Sequence, residues 1–495
     1  MTCCSHCVLS SVSELSAGAA TAIHDYSTVN EQQLEALEAE IERVQYVLGR
    51  FTLARNKLKA ALCTRENLLS PIFTLPFEIL QHILVIAEQT ELPNMRLHLR
   101  PRYILSLVCT TWRNLTLCSP LLWANLEISR ASCGANVPHN LLLDVLTRHL
   151  RYSGRSKLTL RFAPDIYYSP DLYVSARTTG MDTLLREAGR WMDVELHNIS
   201  GLELHQLRNT QASFPSLVRL EMSQIASVCG REGGLDLTWR CPALRHLNLP
   251  YVPDPTDLPI PWAQIESLAA DTGARTILRL LKLVPRAVHL KLKSFDLFDE
   301  LIPNTATERI DCPKLVALEI RQTTSSPESI LSRIRAEAVQ ELVLVDSSNG
   351  IGQIICGFIR ASNCSLTSLN LSAPMALEHL LETLLLTPAL RRLAFHNVQA
   401  PSPESASAFF NAMTLDHSPN TVPLVPALTF LELRENINCD AETVVAMIRS
   451  RSARALRRVV LKVHTPYGHV FGKALAFAEL REDGFDIDIA EVLWG

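Results

Sequence analysis

Long apolar runs are missing from this sequence of 495 residues, and no uninterrupted stretch approaches about 18 apolar side chains. A helix that crosses a membrane needs at least that length, so we expect no conventional spanning helix and no membrane partner. Residues 1–10 also lack the basic segment followed by an apolar run that marks a secretory signal peptide. The sequence therefore predicts a location in the cytoplasm, the nucleus or both.

A disulfide framework is not indicated either. The chain has 13 cysteines, an odd number, and most lie inside apolar segments, such as Cys109 after Val108 and Cys356 after Ile355. Cysteine in such surroundings behaves as a small core side chain, and reduced thiols are typical of cytosolic and nuclear proteins. We expect these cysteines to be reduced.

An excess of positive charge is missing as well. The chain has 47 Lys and Arg against 51 Asp and Glu, which gives a formal net charge of −4. Clustered Lys and Arg drive binding to the phosphates of nucleic acids, so we expect no nucleic-acid partner. With 47% hydrophobic and 20% charged residues, the composition is that of a globular protein with a large core.

Signatures of catalysis and of metal binding are also lacking. The sequence has no Gly-x-x-x-x-Gly-Lys phosphate loop, no Gly-x-Ser-x-Gly elbow and no His-Glu-x-x-His zinc helix. One Cys-x-x-Cys, formed by Cys4 and Cys7, has no second pair to complete the four ligands of a structural zinc site. We therefore expect no catalytic residue, no metal and no cofactor, and a hydrolase without a sequence signature is the weakest alternative.

Residues 1–26 are small and polar, and we expect a disordered tail there. Residues 27–69 carry apolar side chains on alternating steps of three and four, the spacing of a coiled-coil helix. Thr28 and Glu31 offer a capping box at its start. Arg55 is the one polar interruption of the apolar seam, which consists of Leu34, Leu37, Ile41, Val44, Leu48, Phe51, Leu58 and Leu62.

Charge is divided along the same helix, in an order that suits the helix dipole. Glutamates crowd the first half and cations fill the second. The glutamates are Glu31, Glu35, Glu38, Glu40 and Glu42, and the cations are Arg43, Arg50, Arg55, Lys57, Lys59 and Arg65. This division would let the helix pair antiparallel with a second copy, giving a homodimer through residues 29–62. The other interpretation is a helix that lies against its own chain, and the pattern favours neither.

Residues 70–130 hold a second helix that is apolar on almost every side. Pro71 ends the long helix because proline lacks an N–H donor, and Pro76 stands at a favourable first helical position. A surface helix of a small domain needs one apolar stripe for its own core, so a second stripe predicts a site for a partner protein. One stripe is Leu75, Ile79, Ile83 and Ile86, and the other is Phe77, Leu80, Leu84 and Ala87.

Three motifs follow one another in this segment: Leu75-Pro76-x-Glu78-Ile79-Leu80, Leu105-x-x-Val108-Cys109-x-x-Trp112-x-x-Leu115, and Pro120-x-Leu122-Trp123. Together they resemble the F-box, and with the preceding heptad helix they resemble F-box proteins of mushroom-forming fungi. The sequence departs from that pattern at Thr110-Thr111, where the family often carries Lys or Arg, and by the long insert 88–102.

The resemblance implies that this segment docks a Skp-type adaptor and, through it, a cullin–RING core. It assigns adaptor binding to Leu75, Pro76, Ile79, Leu80, Ile83, Leu107, Val108, Cys109, Trp112 and Leu115.

The remainder of the chain contains an irregular repeat, Pro-x-Leu-x-x-Leu-x-Leu, as in Pro215–Met222 and Pro313–Ile320. Nine of the eleven steps between successive units are 21–28 residues long, which matches the period of leucine-rich repeats. Each Leu-x-Leu predicts a short strand with inward leucines, and segments such as Met181–Ala188 and Leu377–Leu386 predict helices between the strands. The central positions are Leu158, Val194, Leu220, Leu247, Leu268, Leu290, Leu318, Leu342, Leu369, Leu393, Leu431 and Val459.

The outward strand residues predict a recognition surface for a client protein. Its C-terminal part is the more basic, through Arg392, Arg434, Arg458 and Lys462. One hypothesis is that these four residues hold an acidic or phosphorylated client segment, since guanidinium groups bind such oxygens well. The alternative is an ordinary solvated face, because glutamates such as Glu432 interleave with the cations.

The sequence thus predicts an N-terminal long helix plus a small all-α F-box, followed by an α/β leucine-rich-repeat solenoid. The expected bounds are 1–26 for the tail, 27–69 for the heptad helix, 70–130 for the F-box and 131–495 for the repeats with a closing C-terminal element. The resemblance implies a non-catalytic substrate-recognition subunit of an SCF-type ubiquitin ligase. The alternative is a repeat scaffold without ligase coupling.

Overall fold

A computed structural model describes most of the chain. The described residues are 17–69, 71–89, 100–129, 139–163, 180–199, 203, 205–207, 210, 212–223, 240–249, 260–294, 309–322, 330–345, 351–399, 403–415, 423–434, 441–451, 456–464 and 475–492. The chain divides into two compact units, Met1–Ile83 and Leu84–Gly495.

The first unit is mainly one long helix, α1 (Ala17–Leu69). A 3₁₀ turn (Pro71–Thr74) and the first half of α2 (Phe77–Gln89) complete it. The expected N-terminal long helix is therefore present.

Helix α1 begins ten residues earlier than the sequence predicts, at Ala17 instead of residue 27. Four alanines in residues 17–22 supply high helix propensity there, so residues 17–26 are helical and not a disordered tail. Thr28 lies inside the helix, and its hydroxyl donates to the carbonyl oxygen of Asp25 at 2.8 Å. The expected capping box is thus not where the helix starts.

The second unit opens with the end of α2 and three short helices. They are α3 (Pro101–Ser106), α4 (Thr110–Leu117) and α5 (Pro120–Trp123). Proline begins α3 and α5 because its fixed φ suits the first helical position. Cys109 caps α4, since its Sγ accepts a hydrogen bond of 3.5 Å from the backbone N of Trp112.

A parallel sheet of 14 strands makes up most of the second unit. Each strand pairs with its neighbours in sequence, an order compatible with an α/β solenoid. The strands are β1 (Asn125–Ser129), β2 (Leu158–Ala163), β3 (Trp191–His197), β4 (Arg219–Ser223), β5 (His246–Leu249), β6 (Ser267–Thr272), β7 (His289–Ser294), β9 (Ala317–Gln322), β11 (Glu341–Val345), β12 (Ser368–Ala376), β13 (Arg392–Gln399), β14 (Phe430–Arg434), β15 (Arg458–His464) and β16 (Asp486–Val492). A separate parallel pair consists of β8 (Ile310–Asp311) and β10 (Ile334–Arg335).

One row of buried apolar residues runs across all 14 strands. It contains Leu126, Leu160, Val194, Leu220, Leu247, Leu268, Leu290, Leu318, Leu342, Leu369, Leu393, Leu431, Val459 and Ile487, each aligned with the next. Eleven of the twelve predicted central positions lie in this row. The exception is Leu158, which aligns with Trp191, so that Leu160 is the residue of β2 in the row.

The sheet has one strand before the first predicted central position and one strand after the last. Strand β1 begins at Asn125, inside the segment predicted as F-box, and β16 follows the last of those positions. At the expected closing C-terminal element, the structure has a helix, α13 (Leu475–Glu482), followed by β16.

Helices connect many of the strands. The segments predicted at 181–188 and 377–386 are helical at Gly180–Leu185 and Leu377–Leu385. The helices that follow β1 are α6 (His139–Tyr152), α7 (Gly180–Leu185), α8 (Ala274–Leu283), α9 (Ile351–Ser362), α10 (Leu377–Leu385), α11 (Pro403–Met413), α12 (Ala441–Arg451) and α13 (Leu475–Glu482). In the part of the chain that the structure describes, no helix combines the length and the apolar character needed to cross a membrane.

Neighbouring helices approach closely at Gly352, the second residue of α9. A Cβ atom added at Gly352 would lie 2.6 Å from the Cβ of His379 on α10 and 3.2 Å from the Cγ of Met375. Gly357 lies on the exposed side of the same helix, and a Cβ there would meet nothing within 4 Å. Glycine is therefore required by packing at the first position and not at the second.

We expect Gly352→Ala to destabilise the protein by about 1–3 kcal/mol, because the added methyl group overfills the α9–α10 contact. Gly357→Ala is the matched control and should stabilise by up to about 1 kcal/mol, since alanine is the better helix former. Urea unfolding followed by far-UV circular dichroism measures both. Equal effects of the two substitutions would contradict this account.

Candidate functional site

Helix α2 exposes one apolar stripe. Ile79, Ile83 and Ile86 follow one another at steps of four and three, so they share one face of the helix, and all three are exposed. Leu80 and Leu84 are 4% and 1% exposed. Of the two predicted stripes, one is therefore exposed at Ile79, Ile83 and Ile86, and the other is buried at Leu80 and Leu84 but exposed at Phe77.

Two of the ten residues assigned to adaptor docking are buried. Leu80 is 4% exposed and Leu115 is 1% exposed, so a partner has no access to either side chain. Both side chains pack internally in the single chain, and the docking role of the ten residues stays a prediction. Of the others, Leu75, Pro76, Ile79 and Ile83 are exposed on the first unit, and Cys109 and Trp112 are half-buried on the second.

The turn between α3 and α4 carries the most exposed apolar side chains of the predicted set. Leu107 and Val108 are 74% and 55% exposed. The turn is held by hydrogen bonds, because Leu107 N donates to Ile104 O at 3.0 Å and Arg113 Nε donates to Ser106 O at 2.9 Å. Leu107 and Val108 therefore project from a fixed backbone.

Sequence reasoning missed two further exposed apolar residues nearby in sequence, Ile104 of α3 and Leu121 of α5. For Leu121, the sequence did contain a pattern that predicts an exposed side chain. Its neighbour Leu122 is fully buried, and adjacent residues of a helix point about 100° apart, so one of the two must face outward.

A buried ion pair joins the two ends of the insert 88–102. Arg102 Nη1 lies 3.1 Å from Glu88 Oε1, and the backbone N of Arg102 donates to Glu88 Oε2 at 3.0 Å. The same Nη1 also donates to the carbonyl oxygens of Leu122 and Asn125, at 2.8 and 2.9 Å. One guanidinium thus ties the end of α2, α5 and the start of β1 together. The sequence marks these residues only as the bounds of an insert.

His149 of α6 packs beside this ion pair. Its ring centroid lies 5.1 Å from that of Trp123, and its Nε2 shares a hydrogen bond of 2.5 Å with the Tyr103 hydroxyl. Burial, helped by the positive charges of Arg102 and Arg100, lowers the pKa of His149 to about 2. The imidazole is therefore neutral at physiological pH.

This pKa makes the second unit sensitive to acid. Folding lowers the pKa of His149 from 6.5 to about 2, so the unfolded chain binds one more proton between these values. The free energy of unfolding should fall by about 1.4 kcal/mol for each pH unit below about 6.5. Urea unfolding between pH 6.5 and pH 5 measures this slope. His149→Gln should reduce the slope by about 1.4 kcal/mol per pH unit, because the variant lacks the proton that the unfolded chain binds at His149. An unchanged slope in the variant would exclude His149 as its source.

The outward face of β2, β3 and β4 carries a network of ion pairs. Arg161 Nε lies 2.7 Å from Glu195 Oε2, and Arg219 lies 2.7 Å from Glu221 and 3.6 Å from Glu195. Burial raises the pKa of Glu195, but the hydrogen bond and charge of Arg161, the hydrogen bond of His197 and the charge of Arg219 together outweigh burial, so the net pKa is lowered. Because its charges neutralise one another, we assign this part of the sheet to structure rather than to recognition.

A shallow depression of about 250 Å³ lies on the outward face of β6, β7, β9 and β11. Small side chains, Ser267, Ala269 and Ala317, line it together with the salt-bridged pair Lys291 and Glu319, whose Nζ and Oε2 are 3.5 Å apart. The small side chains leave room for a partner side chain to approach the sheet.

The four predicted client-binding cations fall into two rows across β13, β14 and β15. Arg392 and Arg458 both align with Phe430, which places their backbones about 10 Å apart. Arg392 lies over the Phe430 ring at 5.0 Å, and Arg458 Nε lies 3.4 Å from Asp486 Oδ2.

The second row aligns Arg434 with His396 and with Lys462. For Arg434 and Lys462 the structure describes only the backbone. The structure therefore brings the four cations onto adjacent strands, and Asp486 partly neutralises Arg458.

No group of three or more His, Cys, Asp or Glu side chains within the described ranges could hold a metal ion. Cys4 and Cys7 of the lone Cys-x-x-Cys lie outside those ranges. Burial raises the pKa of the Cys241 thiol to about 12 and that of Cys312 to about 11, so both are uncharged core side chains. Every cysteine that the structure describes is free of disulfide bonds.

No protein-family model and no curated protein sequence matches the chain.

Proposed function

We propose that this protein is a substrate-recognition subunit of an SCF-type ubiquitin ligase. In this proposal the segment 70–125 is an F-box that docks a Skp-type adaptor, and the parallel sheet with its helices is a leucine-rich-repeat domain that binds a client protein. The observation that carries the proposal is the exposure of Ile79 and Ile83 on a helix whose neighbouring residues Leu80 and Leu84 are buried.

A second apolar set supports the same proposal independently. Leu107 and Val108 project from the hydrogen-bonded turn between α3 and α4, at motif positions that the resemblance assigns to the adaptor. Exposed large apolar side chains at a fixed turn are costly in water, and a partner protein removes that cost by covering them.

The client side of the proposal rests on the outward strand residues. Arg392 and Arg458 flank Phe430, so this row offers two guanidinium groups and an aromatic edge on a rigid sheet. Guanidinium groups bind carboxylates and phosphates through paired hydrogen bonds, which fits an acidic or phosphorylated client segment. The ordinary solvated face is the competing interpretation of the same residues.

The mechanism in this proposal is proximity. A client held on the sheet, in a complex that also holds a charged ubiquitin carrier, experiences a raised effective concentration of that carrier. The chain then needs no catalytic residue of its own, and the reacting groups belong to other subunits.

We expect Leu107→Glu combined with Val108→Glu to weaken capture of a purified Skp-type adaptor at least tenfold, because two charges would enter an apolar contact. The matched control is Leu385→Glu, which changes a leucine of α10 that is 60% exposed and outside the proposed docking segment. Pull-down of the full chain, with circular dichroism to verify folding, measures capture. Undiminished capture by the double variant would favour the scaffold without ligase coupling.

We also expect Arg392→Glu combined with Arg458→Glu to remove acidic or phosphorylated clients from the proteins that co-purify with the chain. The control is Arg335→Glu, an arginine of β10 outside the main sheet that pairs with Glu337 at 2.7 Å. Quantitative mass spectrometry compares the two variants with the unaltered chain. If the double variant retains every partner, the basic rows are a solvated face.

A further inference from the structure

The seam of α1 is uncovered along its whole length. Each of its eight apolar side chains is more than half exposed, from 55% at Ile41 to 69% at Phe51. Within the first unit, no described residue covers this seam. An apolar stripe over four heptads, interrupted only at Arg55 and spanning about 42 Å, is costly in water.

We propose that a second copy of this chain covers the seam, and that the two α1 helices run antiparallel. This inference is independent of the proposed ligase function, because it uses only residues of α1.

Charge decides the orientation. Residues 31–42 hold five glutamates and no cation, whereas residues 43–65 hold six cations and no acid. A parallel pair would set the acidic halves against each other, the basic halves against each other, and Arg55 against Arg55 in the seam. An antiparallel pair sets each acidic half against a basic half, and Arg55 then meets an apolar position flanked by glutamates.

The spacing of the seam also selects a register. In an antiparallel pair, each seam residue of one helix faces a seam residue of the other, and each such facing pair forms one layer. The registers that keep seam residues facing each other differ by seven residues. One register sets Leu37 opposite Arg55 and also makes three purely apolar layers: Leu34 with Leu58, Ile41 with Phe51, and Val44 with Leu48.

The charges select this same register. The five glutamates centre on about residue 37 and the six cations on about residue 55, so the centres coincide when Leu37 faces Arg55. A shift by one heptad would separate them by about 10 Å along the axis. In the chosen register Glu31 lies beside Lys59 of the second copy, and Glu35 lies at the level of Lys57.

Sedimentation of the full chain at micromolar concentration tests the dimer. We expect a mass near twice 55.2 kDa. Ile41→Glu should weaken self-association by roughly 100-fold or more, because it places two carboxylates in the seam. The matched control is Tyr46→Glu, since Tyr46 is exposed on the opposite face of the same helix and should leave the dimer intact.

Zero-length coupling of carboxylates to amines tests the orientation. In a mixture of isotope-labelled and unlabelled chains, we expect cross-links from Glu31 or Glu35 of one copy to Lys57 or Lys59 of the other. Within one helix Glu35 and Lys57 are about 33 Å apart, so such a link reports only on pairing between chains.

Three results would overturn the proposal: a monomer at micromolar concentration, equal effects of the two glutamate substitutions, or a dimer without acid-to-lysine links between labelled and unlabelled chains.

Discussion

The buried row that crosses the 14 strands is the constraint on which the second unit depends. Each strand offers only a few apolar side chains, and burial of one leucine contributes about 1.5–3 kcal/mol. That gain does not offset the entropy of ordering a segment of 20 or more residues, so no strand with its connection is stable alone. Stacking in register solves this, because each leucine of the row contacts the row residue of the strand before it and of the strand after it.

The same constraint explains why the sheet was predictable. Leu-x-Leu spacing fixes which side chains face inward, and the recurrence of the unit every 21–28 residues fixes the neighbours of each strand. The prediction failed at β2, where Leu158 and Leu160 are both buried and the pattern does not show which of them joins the row. It also missed β1, whose Asn-Leu-Glu-Ile-Ser segment lacks the proline-led start of the repeat.

The candidate docking residues were less predictable, because a motif names positions without saying which face of a helix is covered. Leu80 and Ile79 are adjacent and chemically alike, yet one is buried and the other is half exposed. The difference comes from tertiary packing. The ion pair of Arg102 with Glu88 was invisible for the same reason, since charged residues at such a separation in sequence are usually unrelated surface groups.

The final strand bears on how the sheet ends. Strand β16 pairs with β15 along one side and is the last strand of the described sheet. Its outward residues include Asp486 and Asp488, both exposed. Parallel stacking has no intrinsic stopping point, and an unpaired backbone edge can recruit strands from other molecules. This edge therefore carries two carboxylates, one of them paired with Arg458, and like charges directly opposite each other disfavour the pairing of two such strands.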